Sequence, residues 1–98
     1  MQCYKFHIYC GFWLIWPEDT GEHYCWRLYY YDGDYRKCRV YDFPEDAAES
    51  VYFQRTGVKR WDLLPADSIP DSAGHLDCWG QYNSREEDPP LSDEEEEV

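Results

Sequence analysis

Residues 23–42 read HYCWRLYYYDGDYRKCRVYD, two aromatic-rich runs that flank Asp32-Gly33-Asp34. This central tripeptide has the turn chemistry of a β-hairpin. A two-residue loop would place Leu28 opposite Lys37, whereas a three-residue loop places Leu28 opposite Cys38. Because a one-residue slip moves every side chain to the other face of the sheet, burial favours the three-residue loop. The predicted strands are His23–Tyr31 and Tyr35–Asp42.

The predicted register gives this hairpin two different faces. Trp26 lies opposite Val40 on the apolar face. The second face mixes tyrosines with basic side chains, which can stack nucleobases and contact phosphates but are also enriched at protein–protein interfaces. Its cross-strand pairs are Arg27 with Arg39, Tyr29 with Lys37, and Tyr31 with Tyr35. The alternative for this face is that the helix or a second subunit covers it.

Upstream of the hairpin, residues 3–16 alternate with a period of two. Apolar side chains occupy every even position from Tyr4 to Trp16, so we expect this face of the strand to be buried. The pattern predicts one long strand, with Gly11 as the candidate point of a bend. Residues 17–21 then supply the turn into the hairpin.

Downstream of the hairpin, residues 44–56 are predicted to form a helix. Pro44 suits its first turn, Glu45 and Asp46 suit its positive N-terminal end, and Gly57 is a natural C-cap. The remaining predicted segments are a fourth strand at residues 58–64, an irregular segment at 65–74 and a short last strand at 75–82. The predicted fold class is therefore α+β, a small, mainly antiparallel sheet of three to five strands with one helix packed on it.

The net charge of −12 is concentrated towards the C-terminus. Residues 1–60 carry nine acidic and eight basic side chains, whereas residues 61–98 carry twelve acidic side chains and a single basic one, Arg85. From Arg85 onward the composition cannot bury enough apolar surface to fold alone. We predict one domain over residues 1–84 and a disordered acidic tail over residues 85–98.

Composition also bears on localisation. No stretch approaches the roughly 20 apolar residues that span a bilayer, and the first ten residues lack the apolar run of a signal peptide. The five cysteines include no CxxC pair, which favours reduced thiols. We therefore expect a cytoplasmic protein without membrane contact, located in the host cytoplasm or nucleus if its source is viral.

Metal binding and catalysis are both disfavoured. The best ligand set is Cys3, His7, His23 and Cys25, but the predicted strands separate its two halves by on the order of 25 Å. Zinc requires ligands within about 2.3 Å of one ion. No nucleophile elbow or phosphate-binding loop is present. The sequence therefore predicts a protein without metal, cofactor or enzymatic activity.

The predicted function is that of a small acidic inhibitor or adaptor. It would occupy a basic surface of a nucleic-acid-handling protein or complex, and one form of such an inhibitor is a DNA mimic of the viral or phage anti-defence type, anti-CRISPR or anti-restriction. Single-stranded nucleic-acid binding through the Tyr/Arg face is one alternative, and a structural subunit of a larger assembly is another. Direct nucleic-acid contact ranks below a basic protein partner, and a homodimer is left open.

Two sets of residues carry these hypotheses. The predicted partner-binding carboxylates are Asp62, Asp67, Asp71, Asp77, Glu86, Glu87, Asp88, Asp93, Glu94, Glu95, Glu96 and Glu97. The alternative partner face consists of Arg27, Tyr29, Tyr31, Tyr35, Lys37 and Arg39.

Overall fold

The computed structural model describes residues 1–90, and it confirms the α+β class. Five antiparallel strands form one sheet in the order β4-β3-β2-β1-β5. The strands are β1 Gln2–Ile8, β2 Gly11–Asp19, β3 Tyr24–Tyr31, β4 Tyr35–Tyr41 and β5 Gly80–Asn83. The helices are α1 Pro44–Tyr52 and the short α2 Lys59–Asp62, followed by 3-10 helices at Ala66–Ser68, Asp71–Gly74 and Leu76–Cys78.

The single long strand predicted for residues 3–16 is wrong, because the chain reverses after Ile8. Ile8 pairs with Gly11 and Phe6 pairs with Trp13, so β1 and β2 form a hairpin with a two-residue loop. After this turn, odd-numbered rather than even-numbered residues lie on the face that the helices cover. Even positions of β1 face the helices, and odd positions of β2, Trp13 and Ile15, join them in the main core.

Glycine is required at position 11 because the backbone of a neighbouring strand approaches closely, and not because the strand bends there. A Cβ atom at this position would lie 1.7 Å from the carbonyl oxygen of Tyr31 in β3. Backbone approach of this kind is a common reason for glycine inside a strand. The second strand also continues further than expected. Pro17 lies within β2 and pairs with Trp26, so the reversal falls after Asp19.

The hairpin of β3 and β4 follows the predicted three-residue loop close to the turn. Tyr31 pairs with Tyr35 and Tyr29 pairs with Lys37, as expected. A bulge between Arg27 and Tyr29 then shifts the register by one residue. Beyond this bulge two predicted pairs are wrong. Trp26 lies opposite Tyr41 rather than Val40, and Arg27 lies opposite Val40 rather than Arg39.

The helices cover one face of the sheet, which we call the helical face. Ala47, Ala48 and Val51 of α1 are completely buried against the strands. The helix begins at Pro44 as predicted but ends at Tyr52 rather than Thr56. Gln54 has a left-handed backbone, and its amide donates hydrogen bonds to two carbonyl oxygens further along the chain. This reversal directs the chain into α2.

The predicted strand at residues 58–64 is wrong, since residues 59–62 are helical. Val58 and Trp61 are three residues apart and both are buried, which is a helical spacing. The Trp61 indole N–H donates to the carbonyl oxygen of Val51 at 2.8 Å, and its ring meets Trp13 edge-on with centroids 5.5 Å apart. The short helix α2 therefore closes the core instead of extending the sheet.

The last strand is shorter than predicted, because residues 76–78 form a 3-10 helix before β5 begins at Gly80. Beyond β5, the chain remains in contact with the domain. Glu87 forms an ion pair with Lys5 of β1, with 3.0 Å between the ammonium nitrogen and the carboxylate oxygen. Residues 85–90 of the predicted tail are thus described, and residues 91–98 lie outside the described part of the chain.

The face of the sheet opposite the helices, which we call the open face, has its own small core. Cys3, Leu14 and Tyr29 are buried there, and the partly buried Phe12, Trp16 and Tyr35 pack against them. No helix of the described chain covers this face. Two ion pairs lie on it instead, Lys5–Glu87 and Arg27–Glu18.

Candidate interaction surfaces

The aromatic and basic residues predicted as an alternative partner face lie partly inside the open-face core. Tyr29 is only 5% exposed, and its hydroxyl lies 3.4 Å from the Glu18 carboxylate, to which it donates. The Tyr31 and Tyr35 rings pack on each other with centroids 4.8 Å apart. Arg27 donates to the same Glu18 carboxylate at 2.9 Å. These four side chains therefore contact one another or Glu18, and no open row of stacking rings results.

The last two members of that predicted face, Lys37 and Arg39, are exposed and belong to a different feature. They line a groove of about 750 Å³ between the edge strand β4 and the loop that leads into α2. Arg36, Lys59 and Arg60 line the same groove. We call this set of five cations the basic groove.

The predicted partner-binding carboxylates differ in their availability. Asp62 is engaged locally, because its carboxylate accepts hydrogen bonds from the backbone N–H groups of Thr56 and Gly57 and from the Thr56 hydroxyl. Glu87 is paired with Lys5. Asp67, Asp71, Asp77, Glu86 and Asp88 are exposed. The other five, from Asp93 to Glu97, lie outside the described residues.

Two of the exposed aspartates line shallow depressions together with carboxylates of α1. Glu45, Glu49 and Asp77 line one shallow depression, and Glu49 and Asp71 line the depression beside it. We call Glu45, Glu49, Asp71 and Asp77 the acidic surface. None of the four has a cation within ion-pair distance in residues 1–90. This part of the molecule therefore presents carboxylates that no described ion pair neutralises, although Glu49 also lines a depression with Arg39 and Arg55.

Glu45 and Glu49 are not among the predicted partner-binding residues. In the sequence, carboxylates near the start of a helix indicate only a favourable interaction with the positive end of the helix dipole. The signal that could have found them is their spacing. Residues four apart lie on the same side of a helix, and here that side is opposite the buried Ala47, Ala48 and Val51.

A large apolar side chain adjoins the acidic surface. Phe53 is 57% exposed and lines the same depression as Glu49, Asp71 and His75. Its ring packs edge-on against Tyr52, with centroids 5.0 Å apart, and the Arg55 guanidinium lies 5.7 Å from its centroid. An exposed aromatic ring held among carboxylates has the character of an interface anchor, since contacts of this type carry much of the energy of protein–protein binding.

The cysteine and histidine side chains do not converge. Among residues 1–90 no three metal-ligating side chains lie close enough to hold an ion. All five cysteines are free, and burial, with the nearby charge of Asp62, raises the pKa of the Cys38 thiol to about 12. Burial also raises the pKa of Cys3. Neither thiol is thereby activated as a nucleophile, because the thiolate is the reactive form.

Comparison with known proteins gives no relative. The chain matches no protein-family model, and no curated protein or solved structure is significantly similar to it. Among the described helices, none has the length and apolar character needed to cross a bilayer.

Proposed function

We propose that this chain is a protein-binding inhibitor or adaptor that contacts a basic partner through its acidic surface. The observation that carries this proposal is the exposed ring of Phe53, which lines one depression with Glu49 and Asp71, beside a second depression lined by Glu45, Glu49 and Asp77. The ring supplies apolar contact area, and the carboxylates supply charge complementarity. Together they favour a partner whose surface combines an apolar pocket with Lys and Arg side chains.

A nucleic-acid-handling protein has a surface of this kind. Its cleft is basic because it neutralises phosphates, and an acidic protein can compete for the same cations. We propose that the partner belongs to this class and that the chain blocks or recruits it as a mimic of nucleic acid. Additional negative charge comes from the exposed Glu86 and Asp88, which would increase the rate of encounter.

The experiment compares two variants that carry the same change of charge. One is E45Q/E49Q/D77N, which neutralises three of the four carboxylates of the acidic surface and keeps Asp71, the acceptor of a hydrogen bond from Tyr52. The control is E22Q/D34N/D42N, which neutralises three exposed carboxylates elsewhere that make no described ion pair. Each protein is immobilised, lysate is passed over it at about 0.05 M and about 0.5 M salt, and bound proteins are identified by mass spectrometry.

We expect the parent and the control to retain the same basic proteins at low salt, and the acidic-surface variant to lose most of them. Added duplex DNA should release these proteins from the parent, because it competes for the same cations. Substitution of Phe53 by Ala should weaken retention at both salt concentrations. Equal retention by all variants would exclude the acidic surface as the contact.

A further inference from the structure

The distribution of positive charge is the least expected feature of this acidic protein. Nine basic residues are present in the whole sequence, and five of them line the basic groove. Of those five, only Arg60 forms an ion pair within residues 1–90, with Asp32. No Asp or Glu of the described chain lines the groove. Four of its cations therefore make no described ion pair, and the nearby Asp62 carboxylate is already engaged by the backbone of Thr56 and Gly57.

The position of the groove indicates the shape of its ligand. One wall is β4, which lies at the edge of the sheet and has no neighbouring strand on its outer side among the described residues. An edge strand of this kind can pair with an extended chain, although the carbonyl oxygens of Arg36 and Cys38 already accept hydrogen bonds from side chains of the protein. The lining residues include no aromatic side chain on which bases could stack. An acidic peptide therefore fits this groove better than single-stranded nucleic acid, which depends on stacking.

The protein carries such a peptide itself. Residues 91–98 read LSDEEEEV, with five carboxylates in eight residues. The described chain passes near Tyr35, the first residue of β4. Glu87 is anchored on Lys5, and the charges of Glu87 and Asp88 contribute, after burial, to the raised pKa of Tyr35, the residue that precedes Arg36 of the groove.

The remaining chain is long enough to reach the groove. Asp93 is five residues after Asp88 and can lie up to about 17 Å from it, at roughly 3.3 Å per residue. β1, which holds Glu87 through Lys5, is three strand spacings from β4, or about 14 Å across the sheet. Asp93 to Glu97 can therefore lie along Arg36–Arg39 without displacing the Lys5–Glu87 pair.

We propose that the basic groove is a binding site for an extended acidic peptide and that the chain's own segment Asp93–Glu97 occupies it in the free protein. This proposal goes beyond the function proposed above and does not depend on it, since the acidic surface lies on other elements. Its consequence is that the C-terminal carboxylates are shielded until a competing polyanion or a basic partner removes them from the groove.

The test uses a full-length variant in which the segment is neutral, D93N/E94Q/E95Q/E96Q/E97Q. The probe is a fluorescein-labelled peptide of residues 89–98, and binding is measured by fluorescence anisotropy. We expect the neutral-tail variant to bind the peptide about tenfold more tightly than the parent does, because a tethered segment competes at an effective concentration in the millimolar range. The difference should decrease as salt rises.

Two further variants, made in the neutral-tail background, locate the site. R36Q/K59Q removes one cation from each wall of the groove, and R55Q/R85Q removes two cations outside it. We expect the first pair to weaken peptide binding by at least about tenfold, following loss of two charge-assisted contacts, and the second pair to have little effect. Circular dichroism establishes that both variants are folded.

Several results would overturn the proposal. Equal peptide affinity in the parent and the neutral-tail variant would show that the segment does not occupy the groove. Equal weakening by the two cation pairs would show that the peptide responds only to overall charge. Tighter binding of a ten-nucleotide single strand than of the peptide would make the groove a nucleic-acid site. A dimer that sediments in the parent but not in the neutral-tail variant would place the segment in a second copy.

Discussion

The two faces of the sheet are covered by different means. The helical face buries a continuous core under α1, α2 and residues 66–79, the segment that contains the three 3-10 helices. These elements contribute Val51, Trp61, Ile69, Ala73 and Trp79. The open face has a core of three buried residues with ion pairs around it. The carboxylates of the acidic surface lie on α1 and on the 3-10 helices Asp71–Gly74 and Leu76–Cys78. The cations of the basic groove lie on the edge strand β4 and at the start of α2, so the two charges are carried by different elements.

The most direct test of this comparison is to truncate the completely buried tryptophan of the main core. Trp13 is completely buried and contacts both Tyr30 and Trp61. We expect Trp13→Ala to reduce the free energy of unfolding by about 3–5 kcal/mol, as for other buried aromatic truncations. Urea denaturation followed by circular dichroism measures this loss.

A second substitution at Trp13 refines the expectation. The buried indole N–H of this residue has no acceptor among the described residues. Trp13→Phe should therefore reduce the free energy of unfolding by less than Trp13→Ala does, because it keeps an aromatic ring and removes no hydrogen bond. An unfolding free energy of W13A within about 1 kcal/mol of the parent's would contradict the placement of Trp13 in the core.

The equivalent test on the open face is Leu14→Ala. Leu14 is only 1% exposed although no helix covers it, and it packs with Cys3 and Tyr29. We expect a loss of about 2–4 kcal/mol, since truncating a buried leucine removes transfer free energy and leaves a cavity. Ile8→Ala is a useful control, because Ile8 is a partly buried residue at the end of β1. A negligible effect at Leu14 would mean that the open face has no core.

Trp13 and Leu14, which are adjacent in β2, show why only part of the fold follows from the sequence. In β2 both parities are apolar, with Trp13 and Ile15 on one face and Leu14 and Trp16 on the other. Alternation therefore cannot reveal that the parity changes after Ile8, where Tyr9-Cys10 forms a turn without Asn, Asp or Pro. By contrast, Asp32-Gly33-Asp34 is explicit turn chemistry, and the register beside it is predicted correctly.

The candidate surfaces depend on tertiary contacts that no local pattern contains. Tyr29 reads as an exposed ring of a mixed face, yet Trp16, Tyr35 and the Glu18 carboxylate surround it. The basic groove combines β4 with residues 56–60, which are predicted as separate segments of unrelated structure. Its cations are visible in the sequence, but their convergence depends on the correct path of the chain through α2.

The burial of Tyr30 on the helical face predicts that the stability of the protein depends on pH. Burial, with a hydrogen bond to Cys10, raises the pKa of Tyr30 to about 12 from an ordinary value of 10.0. The folded protein therefore resists deprotonation of a group that ionises readily in the unfolded chain. This contribution to stability is complete below pH 10 and is lost as the pH rises through 12.

We expect Tyr30 to account for a loss of about 2 kcal/mol at pH 11.5 relative to pH 8. Urea unfolding at both pH values measures it, and Tyr30→Phe is the matched variant because it keeps the ring and cannot ionise. The alkaline loss should be smaller in Y30F by that amount. The Cys38 thiol, whose pKa is also about 12, contributes equally to both proteins and therefore cancels from the difference. Identical losses in the parent and Y30F would contradict the burial of this hydroxyl.

The smallest expected effect concerns the ion pair that holds the C-terminal segment on the open face. The Lys5 and Glu87 side chains are 22% and 29% exposed, and the Lys5 ammonium also lies 5.1 Å from the centroid of the Tyr82 ring. Burial lowers the pKa of Lys5, but the hydrogen bond and the charge of Glu87 outweigh this effect and raise it above its ordinary value. The pair is thus attractive, although partial exposure to solvent limits its strength.

A double-mutant cycle measures that strength. Lys5→Gln and Glu87→Gln, made singly and together, should give a coupling energy of about 0.5 kcal/mol that decreases with added salt, as is typical of solvent-accessible pairs. Glu86→Gln replaces Glu87→Gln in the control cycle, because Glu86 is exposed and makes no described ion pair. Its coupling to Lys5 should be close to zero. Equal coupling of Lys5 to Glu86 and Glu87 would mean that the segment has no fixed position on the sheet. The route by which Asp88 leads the chain towards β4 would then be lost.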